Sequence, residues 1–334
     1  MTTEILKELV AIDSPSGYTE DVIKHIFGKI KGKSLKKRIT NKGALLVSTV
    51  DDPELVVSGH IDTLGAMVSA LNSNGTLTLT QIGGWPVPSF EGEYVTVCTA
   101  KKKRYRGTFI LKNPAAHVNR EVQSTKREMS NMCVRLDAEA GSVKDLEKLG
   151  ICIGDFVFFD PRFELTDTGF IKSRFLDDKA CSAAMLDIIL NHKSALKNKS
   201  IGFYFSNFEE VGHGATSGIP KSTKELLVAD MGVVGDGVAG DEYHVSICAK
   251  DSSGPYDYGV RSRLVSLARK NKIPYKVDIF PYYGSDGSAA LSAGYDIRVG
   301  LIGPGVSASH GVERTHTKGL QATKNLILAY IKEG

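Results

Sequence analysis

Apolar residues recur with three different spacings along the 334-residue chain. At the N-terminal end they follow the period of a helix face over residues 3–11 and 19–31, the second putting Val22, Ile23, Ile26, Phe27 and Ile30 on one stripe. The turn Ser14-Pro15-Ser16-Gly17 divides the two helices. Short β-branched runs at 44–48 and 55–58 predict buried strands, and the second leads straight into Gly59-His60-Ile61-Asp62.

From about residue 64 to 163 the spacing shortens to strict alternation. Segments 77–80, 94–98, 107–111 and 156–159 are divided by Gly, Pro and Asn, and one short helix is expected near 142–149. This is the pattern of a small β-barrel or sandwich set into an α/β chain. After residue 163 the α/β rhythm resumes: a helix over 177–192, strands over 201–206 and 226–230, a helix over 258–270, strands over 275–280 and 297–302, and a closing helix over 317–331. The expected division is 1–63 with 164–334 for the α/β domain and 64–163 for the insert.

Composition narrows the class without selecting a function. A chain of this length favours two domains, and 42% hydrophobic with 24% charged residues describes a folded, soluble protein. The net charge is +4, and the one dense basic run, Lys101 to Arg106, has Tyr105 as its only aromatic residue, which suits a solvated strand edge or an oligomer contact better than a nucleic-acid surface. Five scattered cysteines without a C-x-x-C support neither a disulfide framework nor a structural zinc site. With neither a signal-peptide layout nor a bilayer-length apolar run, the expectation is a cytoplasmic protein with no membrane and no nucleic-acid partner.

The chemistry gathers where predicted strands end. The run Ile201 to Phe205 stops at Ser206-Asn207-Phe208-Glu209-Glu210-Val211-Gly212, and ligands of α/β proteins bind beyond strand C-termini. Neighbouring residues leaving a strand point to opposite sides, so one glutamate can grip a cation while the other moves protons. His60, Asp62, Asp177, Asp178, Asp230 and His310 also fall at strand ends, at a helix start or in a loop. Each has a plain structural alternative; Asp177-Asp178, for example, would make good helix N-cap chemistry. So many carboxylates on one rim would repel one another unless cations neutralised them. Two divalent ions held by two histidines and three carboxylates, one bridging, would leave room for water and a carbonyl substrate. This is the open pattern of catalytic sites, and amide hydrolysis is the natural reaction class.

His60-x-Asp62, Asp177-Asp178, Glu209-Glu210-Val211-Gly212, Asp230 and His310, in that order, resemble the dinuclear metallo-aminopeptidases of the glutamyl and deblocking type. That family includes tetrahedral dodecamers and some members labelled endoglucanase. The likeness extends over the whole chain, through Ile82-Gly83-Gly84-Trp85, residues 149–155 and Tyr283-Gly284-Ser285-Asp286. It implies a mixed-sheet α/β/α zinc-peptidase-like catalytic domain with an inserted β-barrel that mediates self-association, from a dimeric building block up to a dodecamer. It also implies that His60 and Asp230 bind one ion, Glu210 and His310 the other, with Asp177 between them. Glu209 would be the general base and acid acting on peptide substrates, Asp62 the carboxylate that holds the His60 tautomer, and Asp178 a residue that fixes Asp177 without ligating.

Two features depart from the family pattern: Thr63 stands where a glutamate usually follows His-x-Asp, and Arg174-Phe175-Leu176 is less typical before the aspartate pair. His316 is a rival to His310, but its place at a helix start suits a capping role. Zinc heads a choice that also includes cobalt and manganese, which this ligand set does not separate. Gly235-x-Gly237-x-x-Gly240 matches a dinucleotide fingerprint but is followed by a strand-like run instead of a helix. The rival functions are a metal-independent glycoside hydrolase, which leaves the histidines unexplained, and a non-catalytic assembly protein, which would not need every ligand kept.

Overall fold

Along the strand Leu55–His60, successive side chains enter two different cores. Val56 packs with Leu46, Tyr204, Leu226 and Val228, whereas Val57 packs with Leu45, Val47, Phe203 and Leu227. A strand buried on both faces reads as a continuous apolar run, which is why residues 55–58 and 201–205 stand out in the sequence. This is a computed structural model that describes residues 1–32 and 34–333. The chain forms two compact units, Met1–Thr63 with Arg162–Gly334, and Leu64–Pro161.

In the first unit, thirteen strands among the described residues belong to one mixed sheet. Its centre is Ile201–Ser206, Leu55–His60, Glu225–Ala229 and Arg298–Ser307, all parallel to one another. Four strand C-termini therefore end along one edge, and the chain reaches the strands flanking Leu55–His60 only after residue 200. One core carries Ile5, Ile23, Ile188, Leu264 and Leu326 from five helices; the other takes Ala290 from the helix Asp286–Ser292. The unit is thus the expected α/β/α arrangement.

The helix Leu176–Asn191 is buried on all sides from Leu176 to Ile189, its polar residues Asp178, Lys179, Ser182 and Asp187 included. Each of its large aliphatic side chains contributes about 1.5–3 kcal/mol through burial. Most expected helix and strand ends agree to within about three residues, the strand expected over 297–302 runs on to Ser307, and Phe27 does not join the core stripe. It is 37% exposed, and the Lys37 ammonium lies 3.9 Å from its ring centre. It follows Ile26 by one position, which rotates it well away from the buried face, and the cation covers the ring instead.

The second unit is a closed barrel of six strands: Gly65–Leu71, Leu77–Ile82, Met132–Leu136, Arg104–Leu111, Tyr94–Cys98 and Phe156–Phe159. Closure removes the exposed edges that an open sheet of this size would leave. Trp85 plugs the interior, its ring centre 4.3 Å from Phe90 and 5.3 Å from Phe159, and its Nε1–H donates to the Gly65 carbonyl at 2.9 Å. The Gly83-Gly84-Trp85 signal is therefore core packing. In the basic run, Arg106 makes a paired contact with both carboxylate oxygens of Asp160, at 2.8 and 2.7 Å. Among the described residues, no helix is long and apolar enough to cross a membrane.

Candidate metal centre

Parallel pairing brings the chemistry together. His60 is the last residue of Leu55–His60, Asp230 follows Glu225–Ala229, and Glu209 and Glu210 lie just beyond Ile201–Ser206. His310 sits in the loop after Arg298–Ser307 with a left-handed φ of 62°. Asp177 and Asp178 precede the regular turns of the long buried helix with non-helical dihedrals, and no side-chain cap forms there. The N-cap alternative for this pair therefore fails.

Asp177 faces a histidine with each oxygen. Its Oδ1 lies 3.0 Å from His60 Nε2 and its Oδ2 3.5 Å from His310 Nε2. Glu210 Oε2 is 3.6 Å from His310 Nε2, and Glu209 Oε2 is 3.8 Å from His60 Nε2. His60, Asp178 and Asp230 each offer a ligand atom, all within 4.8 Å of one another. All five residues expected as ligands, together with Glu209, thus meet in one place, and Asp178 lies among them. His316 stands apart: its Nε2 contacts the Thr168 carbonyl at 2.9 Å and its Nδ1 accepts from the Lys318 N–H, so it caps the following helix.

Burial sets the electrostatics. It raises the carboxyls of Asp178, Glu209 and Glu210 well above the usual range, aided by the Asp230 charge for the first two and by Asp177 for Glu210. Burial and then Asp177 push Asp230 up to about 7. Asp177 is the exception: burial would raise it, but hydrogen bonds from His310 and His60 hold it well below the carboxylate range. His60 is raised despite its burial, chiefly by the hydrogen bond to Asp177.

The donor chemistry fits divalent cations. Among the described residues, Glu210 Oε1 has no hydrogen-bond partner, and apart from the neighbouring Cys181 thiol neither does either oxygen of Asp178. Buried acceptors without donors are costly, and mixed imidazole and carboxylate sets of this kind hold zinc, cobalt or manganese. The site opens into a cleft of about 570 Å³ whose wall beyond the acids includes Tyr282, Tyr283, Ser285, Ser288 and Ser292.

The supporting contacts differ from the sequence expectation in one respect. The His60 Nδ1 partner at 2.9 Å is the main-chain carbonyl of Asp62, while the Asp62 carboxylate lies 3.8 Å away. That carboxylate accepts instead from Ser16 Oγ and from the main-chain N–H groups of Glu209 and Glu210. Thr63 is buried, and its N–H donates to the Ser14 carbonyl, which holds the Ser14 to Gly17 turn against this strand end. Sequence reasoning missed three further residues. Asp286 accepts from Ser58 Oγ and the Ala215 N–H, Lys42 Nζ donates to the His213 and Gly214 carbonyls, and Glu313 accepts from the main chain of Asp177 and His310. Asp286 was visible only as the end of Tyr283-Gly284-Ser285-Asp286, and Glu313 only through its short spacing from His310.

Comparisons with known proteins agree with this architecture. YhfE of Bacillus subtilis (strain 168), which carries a provisional aminopeptidase name, is 46% identical over 99% of this chain and 97% of its own. An aminopeptidase from the archaeon Desulfurococcus kamchatkensis superposes with a TM-score of 0.88 at 25% identity, covering 100% of this chain and 95% of that one. The Pyrococcus horikoshii TET1 peptidase, described as assembling into a tetrahedron or a large octahedral shell, gives 0.88 at 23% identity with full coverage of both chains. The model of the M42 glutamyl aminopeptidases matches residues 43–326, and the chain belongs to that family.

Proposed function

We propose that this chain is an aminopeptidase that removes N-terminal residues from peptides at a pair of divalent ions. The observation that carries the reading is the Asp177 carboxylate, one oxygen toward His60 and the other toward His310. His60 and Asp230 would hold one ion, Glu210 and His310 the second, with Asp177 shared; Asp178 lies near enough to the first group to steady it. When bound, such ions supply Lewis acidity for a carbonyl and acidify a water.

Glu209 lines the cleft, keeps its side chain 16% exposed, and holds a proton more readily than an ordinary carboxylate. Those properties suit the group that takes a proton from the attacking water and delivers it to the departing amine. Asp62 keeps Glu209 and Glu210 in place through their main chain. A metal-free glycosidase would use two carboxyls and leave the histidines on either side of Asp177 without a role. By analogy with the shells formed by the TET1 peptidase, self-association through the barrel unit is part of the proposal.

The test is a panel of aminoacyl chromogenic substrates and their N-acetylated counterparts, offered to protein stripped by chelator and re-supplied with zinc, cobalt or manganese singly. Metal-restored cleavage confined to free amino termini is expected. Turnover that survives the chelator, or equal cleavage of the acetylated series, would overturn the proposal.

A further inference from the structure

Glu313 opens the strand Glu313–His316, paired in register with Ser173, four residues before Asp177. It is 1% exposed, and its two oxygens are divided between two segments of chain. Oε2 accepts from the Asp177 N–H and Oε1 from the His310 N–H, both at 3.0 Å. Neither N–H is in regular structure: Asp177 departs from helical dihedrals, and His310 has the positive φ that residues other than glycine seldom adopt. One rigid carboxylate therefore fixes the main chain of the two residues whose side chains meet at 3.5 Å, although they lie far apart in sequence.

We propose that Glu313 is a positioning residue of the metal centre, holding Asp177 and His310 at a set separation so that the site of the second ion is formed before an ion arrives. The inference rests on the two-ion reading above. Partners that orient ligands typically change metal affinity by about 10- to 100-fold when lost, and preorganisation is the physical reason. Glu313→Gln keeps the volume but turns one acceptor into an amide NH2, so one of the two main-chain N–H groups is left facing a donor. The loss should fall chiefly on the Glu210 and His310 ion, whose ligands His310 and Asp177 both depend on Glu313, and less on the His60 and Asp230 ion, which shares only Asp177.

The experiment is a zinc titration against a competing chelator on wild type and Glu313→Gln, with thermal unfolding of both in excess chelator. The expected result is a second-ion affinity lowered about 10- to 100-fold, a clearly smaller loss at the first ion, and metal-free unfolding shifted by no more than one unpaired buried N–H accounts for. Identical titrations, or equal weakening of both ions with a matching loss of metal-free stability, would overturn the proposal. Wild type that binds no zinc would instead sink the two-ion reading itself. If the variant does not fold, amide hydrogen exchange on metal-free wild type decides: Asp177 and His310 amides already protected without zinc support Glu313, and amides that exchange freely until zinc is added refute it.

Discussion

Asp62 Oδ1 lies 3.2 Å from the main-chain nitrogen of Glu209, 147 residues further along the chain. Its other oxygen takes the Ser16 hydroxyl at 2.5 Å and the Glu210 N–H at 3.4 Å. One buried carboxylate thereby joins the N-terminal turn, the end of Leu55–His60 and the two-glutamate loop. Asp62→Asn should keep the fold and lower kcat by roughly 10- to 100-fold with metal content unchanged, because the loop carrying Glu209 shifts. Asp62→Ala should also destabilise by about 1–3 kcal/mol by leaving buried N–H groups unpaired. Steady-state kinetics and urea unfolding read the two effects.

Removing metal should make stability depend on pH with a definite sign. Asp178, Glu209 and Glu210 are raised well above ordinary carboxyls, Asp230 reaches about 7, and burial with the Asp177 charge lifts Glu313 to about 8. Groups raised in the folded state bind protons there that the unfolded chain has released, so their contribution is full at low pH and is lost as pH rises through the folded values. Asp177, held low, works in the opposite direction but is a single group. Chelated protein should therefore lose thermal stability between about pH 5 and 8, and zinc should flatten the curve. Melting curves across that range, with and without chelator, check it.

Lys179, directly after Asp178, gives a test of the opposite sign. It is 1% exposed, donates to the Leu9 and Ile12 carbonyls at 2.8 and 2.7 Å, and burial pushes its ammonium down to about 7. Between that value and the ordinary lysine range the unfolded chain binds more protons, so this residue adds stability as pH rises from about 7 to 10. Relative to Lys179→Met, wild type should gain stability over that interval. A difference that stays flat in urea unfolding at pH 7, 8.5 and 10 would show that the group titrates normally.

What could be read from the sequence depended on whether a residue's neighbours in the chain announced its place. His60, Asp230 and the Glu209-Glu210 pair were legible because each follows a strand buried on both faces, and such strands are continuous apolar runs. His310 depended on family likeness, since a left-handed loop residue carries no periodic signal. Ser16, Asp286 and Glu313 were not legible as supports, because each acts on main chain or side chains 46, 71 or 136 residues away that only the sheet register brings near. The strand Gly65–Leu71 was missed because glycine, alanine and serine dilute its alternation, and its pairing contains a register shift between Val68 and Ala70. The Asp62 carboxylate was given the wrong contact for a simple reason: in His-x-Asp the main-chain carbonyl reaches the ring first.

The central claim is that His60, Asp177, Glu210, Asp230 and His310 cage two ions while Glu209 moves the proton. It is tested most directly by counting zinc per chain by elemental analysis after stripping and reloading wild type and Glu209→Gln, with peptide hydrolysis measured on the same samples. Two ions per chain are expected in both proteins, with turnover reduced at least about 100-fold in the variant. One ion or none in the reloaded wild type, or near-normal hydrolysis by the variant, would contradict it.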